Sequence, residues 1–325
     1  MTLMSALRAF AAVAFALGSM PVAWSQSYPT KPVKLIVPYS PGGLPDTVAR
    51  VVGQALSEKW GQQVVVENKP GGNGLVAAPL ITSAAPDGYT LLVTDGTMFS
   101  VNLYTYRQLP YDPARDFTFI SMAARAPLFL AVNPSLNVNT FEEFLKLVKA
   151  SPGKYSYGSS GIGSVHHLTM EMMKAGLGLD LVHVPYKGTG QSIPALVSGD
   201  VAAVFSAMPS LSGFVKDGRV KLIAVNTETR SSLSPQIPAV AEYGLPGFEY
   251  SPHIGFSGPA GMPSALAHRI SKDVADVVRS PAMAERMTTL GIDAVGSTPE
   301  AYAAQHAADR ERYGRAVKTA GIKPE

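Results

Sequence analysis

A glycine-rich turn near the start of the chain combines residue types that can hold an anion. It reads PYSPGGLPDTVAR over residues 38–50, between an apolar run, Val33–Val37, and an amphipathic run, Thr47–Leu56. This order is typical of a strand, a turn and a helix. Backbone N–H groups at a helix N-terminus lack intrahelical partners and lie at the positive end of the helix dipole. Since Gly42 and Gly43 allow close approach of the backbone, the turn is expected to hold a carboxylate.

A second turn of similar composition lies in the middle of the chain. It reads GSSGIGS over residues 158–164, between a predicted strand, Tyr155–Tyr157, and a predicted helix, Val165–Ala175. Its serines are common turn formers, and their hydroxyls both donate and accept, which suits a carboxylate or its water shell. Two such turns can face each other across a cleft, and a ligand held from both sides would favour closure.

The elements that position these turns alternate between strand-like and helix-like runs. This pattern predicts an α/β protein with mostly parallel strands. A further flexible turn, Asn68–Gly74, leads into the run Leu75–Ala84. Thr140 and Glu143 form a capping-box pattern at the start of a predicted helix. The remaining predicted elements are the helices Phe141–Ala150 and Gln191–Val197 and the strands Val64–Glu67, Tyr89–Thr94, Leu181–Val184, Val201–Phe205 and Lys221–Val225.

The N-terminus has the pattern of an export signal. Arg8 precedes an apolar run, Ala9–Leu17, which is too short to span a bilayer, and small residues follow at Ala23 and Ser25. We therefore expect a signal peptide over residues 1–26 that is cleaved during export. No later apolar run is long enough to cross a membrane.

Composition narrows the class of the mature protein. The chain contains no cysteine, so disulfides and lipid attachment at an N-terminal cysteine are excluded. Cleavage would leave about 300 residues, a size typical of two lobes. Removal of Arg8 changes the net charge from +3 to +2, which gives no argument for nucleic-acid binding.

Several separated motifs resemble the Bug family, the periplasmic solute-binding receptors of tripartite tricarboxylate transporters. Besides the first turn, they are VENKPGGNG at 66–74, APDGYTLL at 85–92, YGSSGIGSVHHL at 157–168 and VPYKG at 184–188. The resemblance implies a two-lobed periplasmic-binding-protein fold, type II-like, with a ligand cleft between the lobes. It also implies capture of a small carboxylate, often through backbone N–H groups and bridging water.

We expect the first lobe to comprise residues 27–125 and 254–325, and the second lobe residues 126–253. We expect the chain to cross from the first lobe to the second near Ala124–Leu128, because an apolar run follows there. We expect it to return near Tyr250–Gly255, because the stretch there is rich in turn residues.

The resemblance also implies a set of ligand-binding residues. The first glycine-rich turn and the start of its helix, which we call the first loop, supply Tyr39, Ser40, Gly42, Gly43 and Asp46. The second turn and the start of its helix, the second loop, supply Ser159, Ser160, Gly163, Ser164 and His167. The expected cleft walls are Asp95, Gly96, Thr97, Tyr186, Lys187 and Gly188, together with Ser206. Pro45, which has no N–H, stands where many relatives carry a small polar residue, and Ser206 stands where relatives often have an acidic one. The identity of the acid is therefore not transferred from any relative.

Two of these residues have other interpretations. Asp46 is expected to cap the helix and border the pocket, where its charge would favour a ligand with an amino group or a bridging water. His167 and Glu171 lie one helical turn apart, but zinc sites need more ligands, and His166, His183, His253, His268 and His306 show no pattern. Neither a metal nor a cofactor is expected.

The residues favour a binding protein that delivers a small carboxylic acid to a separate integral-membrane transporter, and we expect a monomer. A ligand-sensing module of a membrane signalling protein would have the same sequence pattern. A secreted hydrolase using Ser164, His167 and Asp46 is disfavoured because the chain lacks the spacing of a G-x-S-x-G elbow. Dicarboxylates, tricarboxylates, aromatic acids, amino acids and nicotinate-like acids all remain open as ligands.

Overall fold

The computed structural model describes residues 28–231 and 234–324, so the predicted signal peptide lies outside the described residues. The described strands are β1 (Val33–Val37), β2 (Val64–Asn68), β3 (Thr90–Thr94), β4 (Phe117–Arg125), β5 (Phe129–Val132), β6 (Ser156–Ser159), β7 (Val182–Pro185), β8 (Ala203–Ser206), β9 (Lys221–Val225), β10 (His253–Pro259) and β11 (Asp293–Ala294). The described α-helices are α1 (Leu44–Trp60), α2 (Ala78–Thr82), α3 (Asn102–Thr105), α4 (Phe141–Lys149), α5 (Val165–Leu177), α6 (Thr189–Ser198), α7 (Met208–Lys216), α8 (Ser264–Val278), α9 (Pro281–Thr289) and α10 (Pro299–Thr319).

The strands form two sheets, which confirms the predicted α/β, two-lobed class. The first sheet has the order β11-β4-β10-β3-β1-β2, and the second has the order β7-β6-β8-β5-β9. The chain passes from the first sheet to the second through residues 126–128 and returns through residues 226–252. We propose that the lobes divide at these two crossings.

The expectation of mostly parallel strands is wrong, because both sheets are mixed. β1 pairs in parallel with β2 and β3, whereas β10 is antiparallel to both β3 and β4. In the second sheet β6 is parallel to β7 and β8, but β5 is antiparallel to β8 and β9. The strands that border the crossings account for the antiparallel pairs, since β4, β5, β9 and β10 all take part in them.

The predicted flexible turn over Asn68–Gly74 ends in a tight turn, Gly72–Gly74, in which Asn73 has a left-handed φ of 48°. The run Leu75–Ala84 that follows contains the short helix α2. The helix α1 begins at Leu44, earlier than predicted, because a proline at position 45 suits the first turn of a helix.

The helices pack on the sheets through apolar faces. Val48, Val52 and Leu56 of α1 are fully buried, as are Val33 and Leu35 of β1. The second lobe has its own core, in which Phe129, Leu196, Val204 and Leu211 are buried together. Within the described residues, no helix has both the length and the apolar character that a membrane span requires.

Gly255 in β10 has no space for a side chain. A Cβ built there would lie 2.4 Å from the hydroxyl oxygen of Tyr302 and 2.7 Å from the carbonyl oxygen of Ser121. We expect Gly255→Ala to lower the free energy of unfolding by about 2–3 kcal/mol, because the strand or the tyrosine must move. Urea unfolding measures this change.

Gly213→Ala in α7 is the matched control. A Cβ there meets no atom within 4 Å, so this variant should match or exceed the wild type by up to about 1 kcal/mol. Equal stability of the Gly255→Ala variant and the wild type would contradict the packing argument.

Candidate functional site

Three helix N-termini lie where the first loop meets the second lobe. The helices α1, α6 and α7 begin after Gly43, Gly188 and Ala207, and in the described structure none of the three has a side chain capping it. Each N-terminus carries roughly half a positive charge and unpaired N–H groups. Their convergence creates a positive environment without any lysine or arginine side chain.

Hydroxyl groups connect these three N-termini. Ser210 Oγ donates to the carbonyl oxygen of Gly42 at 3.1 Å and lies 3.2 Å from Thr189 Oγ1. A Cβ built on Gly43 would lie only 2.8 Å from Thr189 Oγ1. The first loop therefore touches the second lobe directly, as expected for a closed cleft.

Ser206, which the sequence placed at the pocket, ends β8 immediately before α7. It is 1% exposed, and its Oγ has no hydrogen-bonding partner among the described residues. A buried hydroxyl without a partner is costly, so this atom is available to a ligand or a water molecule.

A cavity of about 140 Å³ lies beside this convergence and is lined by both lobes. The predicted site residues Tyr39, Ser160 and Tyr186 line it, as does Lys187. Two hydrogen bonds close the cleft around it: Ser40 Oγ donates to the carbonyl oxygen of Lys187 at 3.1 Å, and Asn73 Nδ2 donates to that of Ile162. The other lining residues are Pro38, Gly71, Gly72, Asn73, Tyr106, Gly161, Ile162 and Pro185.

A larger hollow of about 360 Å³ lies beside the crossings between the lobes. Its wall carries both signs of charge, from Arg125, Arg230, Glu228, Glu249 and Asp293. None of the predicted site residues lines it, so the smaller cavity between the two loops is the better candidate site.

Asp46 holds the first loop in shape. The expectation that it is the helix N-cap is wrong, because Gly43 holds that position and Asp46 lies inside α1. Its carboxylate accepts from the N–H of Gly42 at 2.9 Å, from Arg50 at 2.9 Å and from Asn68 Nδ2 at 2.9 Å. Burial alone would raise the pKa of Asp46, but these hydrogen bonds outweigh burial and lower it. Arg50 also offsets the negative charge of Asp46, which was expected to favour a ligand with an amino group or a bridging water.

Tyr39 is positioned from behind by Asp95. The tyrosine hydroxyl donates to Asp95 Oδ1 at 2.9 Å, and the N–H of Thr97 donates to the same oxygen at 2.9 Å. Burial and the neighbouring carboxylate raise the pKa of Tyr39, so the phenol stays neutral. Gly96 packs against His253. The Asp95–Thr97 segment thus supports the cavity wall and does not line the cavity itself.

The second loop is supported in the same way. The N–H of Gly163 donates to His167 Nδ1 at 2.9 Å, while Ser164 Oγ caps α5 by accepting from the N–H of His167 at 3.3 Å. Ser159 Oγ lies 2.6 Å from His183 Nε2. Burial lowers the pKa of His167 to about 4, so its imidazole is neutral. Because Nδ1 already accepts from Gly163, these contacts do not prepare His167 as a base for Ser164.

Of the predicted residues, Gly188 touches the first loop, since a Cβ built on it would lie 3.1 Å from the backbone nitrogen of Ser40. The sequence interpretation did not include Thr189, Ser210 or Asn73 in the site. Two of these residues occupy helix starts that the sequence marks, although it does not show that they meet across the cleft. Thr189 opens a helix directly after a glycine, and Ser210 follows Pro209, in the first turn of a helix.

The chain matches the family model described as tripartite tricarboxylate transporter family receptor over residues 48–322. It is 30% identical over 300 residues to protein BugT of Bordetella pertussis, with 92% of each chain covered. It superposes on Rpa4515 of R. palustris, solved with adipate, with a TM-score of 0.89 and 31% identity over 92% of this chain and 100% of that one. It superposes on MatC of Rhodopseudomonas palustris, solved with bound malate, with a TM-score of 0.83 and 27% identity over 89% of this chain and 100% of that one.

Asp46 makes the stability of the first loop depend on pH. Its pKa is lower in the folded than in the unfolded state, so the stabilisation is present above about pH 4 and is lost as the pH falls through the folded-state value. We expect Asp46→Asn to be destabilising at neutral pH, with a difference from the wild type that shrinks as the pH falls below about 4. Urea unfolding of both proteins across a pH series measures this difference, and a difference independent of pH would contradict the assignment.

Proposed function

The chain belongs to the tripartite tricarboxylate transporter receptor family, and on that premise we propose that it binds a small dicarboxylate between its lobes and delivers it to a membrane transporter. The family consists of substrate-binding receptors. The observation that carries the ligand assignment is the convergence of the N-termini of α1, α6 and α7.

These N-termini suit one carboxylate. Unpaired N–H groups and helix dipoles stabilise an anion with little desolvation of side chains, because the donors are already fixed in the backbone. The hydroxyls of Thr189, Ser206 and Ser210 add donors at the same place. Ser210 Oγ donates to the carbonyl oxygen of Gly42, and a bound carboxylate would compete for this donor.

The adjoining cavity suits the rest of the molecule and a second carboxylate. The cavity adjoins the place where the three helix N-termini converge. Tyr39 and Lys187 line the cavity, and the next residue after each, Ser40 and Gly188, lies at the convergence. Rpa4515 was solved with adipate and MatC with malate, and both ligands are dicarboxylates. A ligand that reaches from the convergence into the cavity would touch both lobes and stabilise their closure.

We propose binding without turnover. The serine, histidine and aspartate of the alternative hydrolase hypothesis each have a structural role: Ser164 caps α5, His167 supports the second loop and Asp46 the first. We also propose that the protein acts as a monomer in the periplasm after cleavage of its signal peptide, and that separate integral-membrane subunits receive the ligand.

Removal of the two hydroxyls at the convergence tests the site. Thr189→Val and Ser210→Ala should each weaken dicarboxylate binding about tenfold, because each removes a donor to a charged group. Isothermal titration calorimetry against succinate, malate and adipate measures the change. Ser198→Ala, at the exposed far end of α6, is the matched control and should bind like the wild type.

A monocarboxylate of similar length should bind more weakly than its dicarboxylate. Chromatography of the ligand after incubation should recover it unchanged. No binding of any dicarboxylate by folded, ligand-free protein would overturn the proposal, as would full affinity in both the Thr189→Val and the Ser210→Ala variants.

A further inference from the structure

Three metal-ligating side chains meet in the interior of the first lobe, away from the candidate site. His253 is the first residue of β10, and His306 and Asp309 lie three residues apart on α10. All three are at most 2% exposed. One potential ligand atom from each lies within 4.8 Å of the others.

The contact between His253 and Asp309 is not an aligned hydrogen bond. His253 Nε2 and Asp309 Oδ2 are 3.0 Å apart, yet neither atom has a partner in hydrogen-bonding geometry among the described residues. Ligands at about 2.0–2.2 Å from a common tetrahedral ion are themselves separated by about 3.3–3.6 Å. The observed separation is a few tenths of an ångström shorter, so a small movement of either side chain would direct both atoms at one ion.

His306 adds a second, independent observation. Both of its ring nitrogens are buried and lack a partner within the described chain. Its ring is packed among aromatic rings, 4.7 Å from Phe119 and 4.8 Å from Phe99 between centroids. Because an unpaired buried nitrogen is costly, a ligand for its lone pair would remove part of that cost.

The surroundings orient the carboxylate. Asp309 Oδ1 accepts from Arg312 at 2.9 Å and from Gln305 Nε2 at 3.1 Å, which leaves Oδ2 facing the histidines. Such outer contacts are typical of metal-binding carboxylates.

From this geometry we propose that His253, His306 and Asp309 form a structural binding site for Zn²⁺. Two imidazoles and one carboxylate are a donor set that zinc accepts, and a water molecule would complete its tetrahedron. Gly96 leaves space for it, since a Cβ there would lie 3.3 Å from His253 Nε2 and 3.8 Å from His306 Cε1. The nearby Arg312 cation opposes a dication, so a chelator should remove the ion.

The ion would join β10 to α10 behind the Asp95–Thr97 segment. Its expected effect is on the stability of the first lobe, since binding to the folded state alone raises the unfolding midpoint. No step of ligand binding in the cleft depends on it, so this proposal and the proposed function fail or succeed separately.

The test uses mature protein without a histidine tag, purified without chelator. Elemental analysis should find about one zinc per chain. Dialysis against a chelator should lower the thermal midpoint, and added Zn²⁺ should restore it. In His306→Phe, which keeps an aromatic ring among Phe99 and Phe119, the bound zinc and the response to Zn²⁺ should both be lost. His268→Ala removes an exposed histidine and should behave like the wild type.

Cobalt substitution keeps the test decisive if His306→Phe does not fold. Co²⁺ bound to the apo wild-type protein should give the visible absorption bands of a tetrahedral ion. The proposal is overturned if the wild-type protein binds no stoichiometric metal and gains no stability from Zn²⁺. It is equally overturned if His306→Phe retains the wild-type metal content, or if Co²⁺ gives no tetrahedral bands.

Discussion

The N–H groups at a helix N-terminus need partners, and this constraint organises the space between the two lobes. At α1, α6 and α7 the chain places glycine or alanine at the N-cap, where a serine or aspartate would have satisfied the helix internally. The helix α5 shows the alternative, because its N-cap Ser164 accepts from the backbone of its own first turn. The three helices that meet across the cleft all lack such a cap, so their unpaired donors are concentrated where a ligand can reach them.

Donors of this kind are useful only if the loops that carry them keep their shape. In each loop, a side chain set back from the cleft ties down the backbone: Asp46 accepts from Gly42, and His167 accepts from Gly163. Tyr39 is fixed in turn by Asp95. The ordering of these loops is thus part of folding, and little conformational entropy remains to be lost when a ligand arrives.

The sequence predicts the fold class, the two loops and the approximate bounds of most elements, because these depend on local periodicity and on glycine-rich turns. It does not predict the antiparallel pairing of β10, which depends on how the chain returns from the second sheet. Thr189 and Ser210 were missed for a similar reason: their role appears only when the two lobes touch. His253 and His306 showed no pattern in the sequence, because β10 and α10 bring them together over a separation of more than 50 residues.

The reliance on backbone donors has an evolutionary consequence. A main-chain N–H group is present at every position except proline. Substitutions at the N-termini of α1 and α6 therefore need not abolish the proposed binding of a carboxylate. In the proposed site, side chains of the cavity wall such as Tyr106 and Tyr186 would face the remainder of the ligand and would be free to vary. A receptor built this way can change its preferred substrate through a few wall substitutions, while the common acid group continues to be recognised. Divergence to new acids therefore requires no passage through a form that has lost all binding.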